Sequence, residues 1–173
     1  MPDNDKVADM AAQIQSAIRK SPSKMTSQLA RELNLPEAEI VRALPDQRSC
    51  ELDLSRWEEL IRSFEKLGKV HVICSNGAVT LEAFGEFGNF STFGDFFNVQ
   101  NASLDMHIRY KQLGSAFAVE KPSHMDGHST LSVQFFDTSG QSAFKVFLTF
   151  GGKPPAPERV AQFTAVRDGY GKR

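Results

Sequence analysis

Four histidines are the side chains of this chain best suited to ligate a metal or exchange a proton near neutral pH: His71, His107, His124 and His128. His107 has the most informative surroundings. Apolar and polar residues alternate from Leu104 to Tyr110, so Leu104, Met106, Ile108 and Tyr110 share one face of a predicted strand and Asp105, His107 and Arg109 share the other. That second face sets a nitrogen donor beside a guanidinium able to grip a carboxylate. His71 shares its strand face with Ile73, and for both strand histidines a satisfied sheet residue is the ordinary alternative. His124 and His128 bracket Met125-Asp126-Gly127, a turn-like segment, whereas zinc-binding pairs at this spacing sit on a helix and have further ligands nearby. Surface loop histidines are expected there. Cys50 and Cys74 belong to no C-x-x-C pair and are expected to be reduced, structural thiols. Neither a nucleophile elbow, nor a phosphate-binding loop, nor a dinucleotide fingerprint is present.

The aromatic residues form a second signal. Phe occurs 14 times against one Trp and two Tyr, and six of the Phe crowd between Phe84 and Phe97. There the rings return at every third position among glycines. Glycine opposes a helix and the spacing does not match strand alternation, so a loop or broken strand is predicted. Its rings either anchor that loop to the core or, with Phe96 and Phe97, wall a pocket or subunit interface for a flat apolar partner.

Several elements must position these residues. Residues 5–67 read as helical and the remainder mostly as strand, the segregation of an α+β fold. An amphipathic helix near Val7 to Ile18 precedes a helix–turn–helix pair, in which Met25, Leu29, Ala30 and Leu33 mark the first member and Pro36 opens the second, with Ile40, Val41 and Leu44 on its face before Pro45. Leu54, Trp57, Leu60, Ile61, Phe64 and Leu67 then lie on one helical face, with Ser55 and Glu58 as a capping box and Gly68 as the stop. Strands follow at Lys69–Ser75 and Val79–Phe84 around an Asn76-Gly77 turn, at Leu113–Val119 with both faces apolar, and at Leu131–Phe136 and Phe144–Phe150 around Asp137-Thr138-Ser139-Gly140. Pro154-Pro155-Ala156-Pro157 leads into a closing helix, Glu158–Arg167, with Val160 and Phe163 facing inward.

The 173 residues and 19.2 kDa suffice for one core without staples. Net charge is −1, and residues 1–68 carry ten Lys/Arg against twelve Asp/Glu, so phosphates would repel the helix–turn–helix and no nucleic-acid partner is expected. The polar start at Met1-Pro2 has no apolar stretch behind it, which predicts neither export nor a membrane partner.

Taken in order, these segments resemble a known family. The stretch Leu29-Ala30-Arg31-Glu32-Leu33-Asn34-Leu35-Pro36-Glu37-Ala38-Glu39-Ile40-Val41-Arg42-Ala43-Leu44-Pro45 is similar to the helical part of the HutX/ChuX/HuvX family of intracellular haem-utilisation carriers. So are Trp57 through Gly68-Lys69-Val70, Phe97-Asn98-Val99, Met106-His107-Ile108-Arg109, Ser132-Val133-Gln134-Phe135-Phe136-Asp137 with Gly140, and Phe144-Lys145-Val146-Phe147-Leu148. The resemblance implies a HemS/ChuS-like α+β fold: helices over residues 1–50, then a large antiparallel sheet and a C-terminal helix over residues 51–173. It further implies a cytoplasmic homodimer that binds haem and delivers it to a haem-degrading enzyme. Other readings of the same fold are an enzyme acting on haem or a linear tetrapyrrole, and an interaction module that has lost haem. Family members carry His where this chain has Ser75 and Gly94, whereas His107 stands at a shared position. The implied haem site takes His107 as iron ligand or ligand support and Arg109 as propionate partner, with His71, Phe96 and Phe97 around them.

Overall fold

The computed structural model describes residues 3–45 and 47–172, so the start read at Met1-Pro2 lies outside it. Three helices come first, α1 (Asp3–Lys20), α2 (Thr26–Leu33) and α3 (Glu37–Arg42). Asn34 ends α2 in the left-handed conformation, and Pro36 precedes α3, where its missing N–H costs nothing. A short strand, β1 (Ser49–Glu51), leads to α4 (Trp57–Ser63), flanked by 3-10 turns. The first of these turns is capped by Asp53, whose carboxylate accepts from the Ser55 N–H at 3.0 Å, in place of the expected Ser55 and Glu58 box. Gly68 stops the segment at φ 65°, as expected.

Eight more strands follow: β2 (Lys69–Ser75), β3 (Thr80–Glu86), β4 (Phe90–Phe93), β5 (Phe96–Gln100), β6 (Asp105–Ile108), β7 (Leu113–Pro122), β8 (Ser129–Asp137) and β9 (Ser142–Phe147). They form a six-stranded sheet, ordered β1-β7-β8-β9-β2-β3, and a three-stranded sheet, β4-β5-β6, with every pairing antiparallel. The turn after β2 is wider than predicted. Asn76 accepts the N–H groups of Ala78 and Val79 on its side chain, so four residues bridge the strands and β3 starts at Thr80. The Phe-rich stretch takes the broken-strand alternative, running from the end of β3 through β4 into β5, and Asn89 at φ 62° lies in the break between the first two. A closing helix, α5 (Pro157–Tyr170), buries Phe163 but leaves Val160 exposed, so Val160 is not part of the inward face.

The main core fills the space between the inner face of the six-stranded sheet and a layer made of α4, α5 and the three-stranded sheet. Val70, Val72, Phe144 and Val146 meet Leu60, Ile61, Phe64, Phe97, Val99 and Phe163 there. A second cluster lies on the outer face of the six-stranded sheet, where α1, α2 and α3 cover Phe117, Val119 and Phe136. Ala116 and Ala118 of β7 point into the first core and Phe117 and Val119 into the second, which is the two-sided burial read from that segment.

Candidate functional site

Strand alternation decides which predicted site residues meet. Phe97 and Val99 of β5 and Met106 and Ile108 of β6 turn inward, and Phe97 is fully buried, edge-on to Trp57 at 5.3 Å. Phe96 and Asn98 therefore point outward, together with Asp105 and His107. Phe96 and Phe97, adjacent in sequence, serve opposite sides of the sheet.

On the outer face of β4-β5-β6 the rows are set by register. Ser91 pairs with Asn98 and Asn98 with His107, while Phe93 pairs with Phe96 one row away. His107 Nδ1 lies 2.7 Å from Asn98 Oδ1, and the Asn98 amide Nδ2 donates to Ser91 Oγ at 3.2 Å. Asn98 is only 5% exposed, yet the His107 side chain keeps 55% of its surface. Asp105 Oδ1 stands 3.5 Å from His107 Nε2, which is Coulombic proximity and not a good hydrogen bond. The His107 ring meets the edge of Phe96 at 6.2 Å, and the Arg109 guanidinium lies over the Phe96 ring at 5.1 Å. Lys111 pairs with Asp95 at 2.6 Å and holds that carboxyl below its usual range. Phe93, 81% exposed, completes an open surface that combines an imidazole, a guanidinium and two rings.

Asn98 carries this geometry, and sequence reasoning gave it no role. The available signal was an amide between Phe97 and Val99, in a strand position such residues normally avoid.

His71 sits elsewhere. It belongs to the outer face of the six-stranded sheet, beyond the edge of the helical cover, in a row with Phe147 and Phe84. Its ring stacks on Phe84 at 4.1 Å and lies 6.0 Å from Phe147, and its Nε2 reaches Glu82 Oε2 at 2.8 Å. The side chain retains 15% exposure. Because the main core separates the two outer faces, the structure brings His107, Arg109 and Phe96 together but keeps His71 on the opposite side of the molecule.

Ser75 and Gly94 occupy different settings. Ser75 ends β2 on the His71 face, its hydroxyl accepting from Gly77 N and from Thr80 Oγ1. Gly94 forms, with Asp95, the tight turn between Phe93 and Phe96, at φ 57°, where a side chain would strain the backbone. His124 and His128 lie in the β7–β8 loop, organised by Asp126, which accepts the N–H groups of His128 and Gly152. No group of three or more His, Cys, Asp or Glu able to hold a metal ion occurs among the described residues. Cys50 and Cys74 are free, and burial pushes both thiols up. Two clefts, of about 200 and 460 Å³, lie away from both histidines, one between α3 and the Asp137–Gly140 turn and one between Asp53, Arg56 and the C-terminal end of α5.

Residues 50–166 match the family described as haem utilisation ChuX/HutX. Over 158 residues the chain is 25% identical to the intracellular heme transport protein HutX of Vibrio cholerae, covering 90% of this chain and 81% of that protein. Its fold is similar to a solved structure of the heme binding protein ChuX, with TM-score 0.79, 22% identity, and coverage of 90% of this chain and 97% of the other. It is similar as well to the heme degrading enzyme ChuS of Escherichia coli O157:H7, at TM-score 0.77 and 21% identity. That match covers 95% of this chain and 47% of ChuS, so the chain spans about half its length. The α+β expectation of N-terminal helices, antiparallel sheets and a C-terminal helix is thus met by a ChuX/ChuS-like fold.

Proposed function

Since this chain belongs to the ChuX/HutX haem utilisation family, we propose that it is a cytoplasmic haem carrier that binds haem reversibly on the outer face of the three-stranded sheet and passes it to a haem-degrading enzyme. The observation that carries this reading is the grouping of exposed His107 with Arg109 and Phe96 on one face. Haem needs an apolar surface for the macrocycle, a donor for the iron and a cation for the propionates. Phe93 and Phe96 supply the first, His107 Nε2 the second, and Arg109, laid over Phe96, the third.

The surface is open. Ligand sites commonly enclose about 300–1,000 Å³ and bury most of the ligand, which this face does not do alone. A second copy of the chain closes the slot in this reading. The homodimer also fits the observation that one chain spans about half the length of ChuS.

A hemin titration followed by absorbance, with size-exclusion chromatography of the same sample, tests the proposal. The expected result is a saturable Soret shift near one haem per chain on a dimer. Absence of saturation by a folded protein removes the carrier reading. Loss of the Soret band on adding an electron donor would replace carriage with haem turnover.

A further inference from the structure

We infer that Asn98 is a positioning residue that fixes the tautomer of His107, holding the proton on Nδ1 and leaving the lone pair of Nε2 directed outward for a metal. The inference builds on the haem-site reading above, but it concerns the free protein and can be tested there. A neutral imidazole has one donor and one acceptor nitrogen, and a hydrogen bond at one nitrogen determines what the other can do. At His107 the partner is a carbonyl oxygen: Asn98 Oδ1 is 2.7 Å from Nδ1. In this orientation the other end of the amide is also engaged, its Nδ2 donating to Ser91 Oγ at 3.2 Å.

The placement of Asn98 is costly without such a role. Asparagine is depleted in strands, and burying an amide is unfavourable unless its hydrogen bonds are made. Here it lies in the central strand of the small sheet, almost fully buried, flanked by Ser91 on one neighbouring strand and His107 on the other. The three side chains form one cross-strand row, from the exposed Ser91 hydroxyl through the buried Asn98 amide to the exposed imidazole. Asp105 Oδ1 stands 3.5 Å from Nε2, too far for a good hydrogen bond, and is taken up instead by Gln100 Nε2, which donates to it at 3.1 Å. Partners of this kind behind a metal-binding histidine typically change metal affinity about 10–100-fold when removed.

The experiment is long-range ¹⁵N–¹H NMR of the histidine rings in the haem-free protein at mildly alkaline pH, for wild type, Asn98→Leu, Asn98→Asp and Ser91→Ala, with a hemin titration of each. In the wild type His107 is expected as the Nδ1–H tautomer. Asn98→Leu should move it toward Nε2–H, the form that blocks the outward nitrogen, and weaken hemin binding about tenfold. Asn98→Asp keeps an acceptor at the same place and should retain both the tautomer and the binding. Should Asn98→Leu fail to fold, Ser91→Ala decides, since freeing the far end of the amide should raise the Nε2–H fraction. A wild-type Nε2–H ring overturns the inference, as does a tautomer indifferent to Asn98→Leu, or to Ser91→Ala where the leucine variant does not fold. An Nδ1–H ring in a protein that fails to saturate with hemin overturns the haem reading instead and leaves the positioning role standing.

Discussion

The two strand histidines occupy the outer faces of two sheets, and almost every surrounding detail differs. His71 is packed between Phe84 and Phe147, and its Nε2 already meets the Glu82 carboxylate. His107 stands mostly in solvent, anchored at Nδ1 by a buried amide, with a guanidinium near by. The first arrangement uses up the ring, because its face is covered and its nitrogen is committed to a partner on the same chain. The second engages Nδ1 with Asn98 and leaves Nε2 3.5 Å from the nearby Asp105 carboxylate, too far for a good hydrogen bond. A histidine in a strand is therefore informative only together with what its second nitrogen does.

The same contrast extends over the two faces. The outer side of the six-stranded sheet holds the N-terminal helices, through the apolar cluster around Phe117 and Phe136 and through an ion pair, Lys145 Nζ to Glu37 Oε1 at 2.5 Å, to which Thr26 also donates. With side-chain exposures of 14% and 6%, neither charge of that pair is well solvated. The largest expected effect in the molecule follows. Lys145→Met leaves Glu37 buried without its cation and should cost about 3 kcal/mol in urea unfolding, whereas the double variant Lys145→Met with Glu37→Leu should recover most of it. Hemin affinity should not move in either. A change in affinity without a change in stability would erase the division between a structural face and a binding face.

His107→Ala tests the other face and comes next. It should weaken hemin binding about tenfold or more, equal to about 1.4 kcal/mol, and leave the unfolding midpoint nearly unchanged because the side chain is exposed. His71→Ala should show the reverse. Loss of the stacking on Phe84 and of the Glu82 contact is expected to cost about 1 kcal/mol of stability, with no shift in the Soret titration. If His71→Ala abolishes hemin binding and His107→Ala does not, the ligand belongs on the six-stranded sheet.

Much of this division was legible in the sequence. Alternation from Leu104 to Tyr110 put Asp105 and His107 on one face because a strand has a period of two, and the structure keeps that assignment. Leu113 to Val119 read as a strand apolar on both faces, and Ala116 to Val119 are buried on both, whereas Leu113 and Gly114 at its start are not. The Phe-rich stretch was not legible in the same way. Its threefold spacing arises because Phe84, Phe90 and Phe93, and Phe96 fall on three successive strands, β3, β4 and β5, with Phe87 in the break between the first two, so that Phe87 is buried in the core while Phe93 and Phe84 are exposed. No single period describes such a path. Nor does periodicity identify partners across strands: that Asn98 stands between Ser91 and His107 depends on a register fixed by the Gly94-Asp95 turn and by packing of Phe97 against Trp57.

The smallest effect concerns the helical edge of the six-stranded sheet. Lys121, on the same face of β7 as Phe117 and Val119, donates to the carbonyl oxygens of Pro122 at 2.9 Å and Ser23 at 3.3 Å. Burial, and then the charges of Lys145 and Arg48, push its ammonium down to about 8. An unfolded lysine titrates near 10.5, so between about 8 and that value the unfolded chain binds more protons than the folded one, and stability rises with pH across this window. Below about 8 both states carry the charge and the penalty is constant, about 1 kcal/mol once solvent screening of the partly accessible group is allowed for. Lys121→Met should therefore flatten the rise in urea midpoint between pH 8 and the ordinary lysine range, while the hemin titration at neutral pH stays as in the wild type. A persisting rise would assign the alkaline stabilisation to another group, and a lost Soret shift would carry the binding face across to the helices.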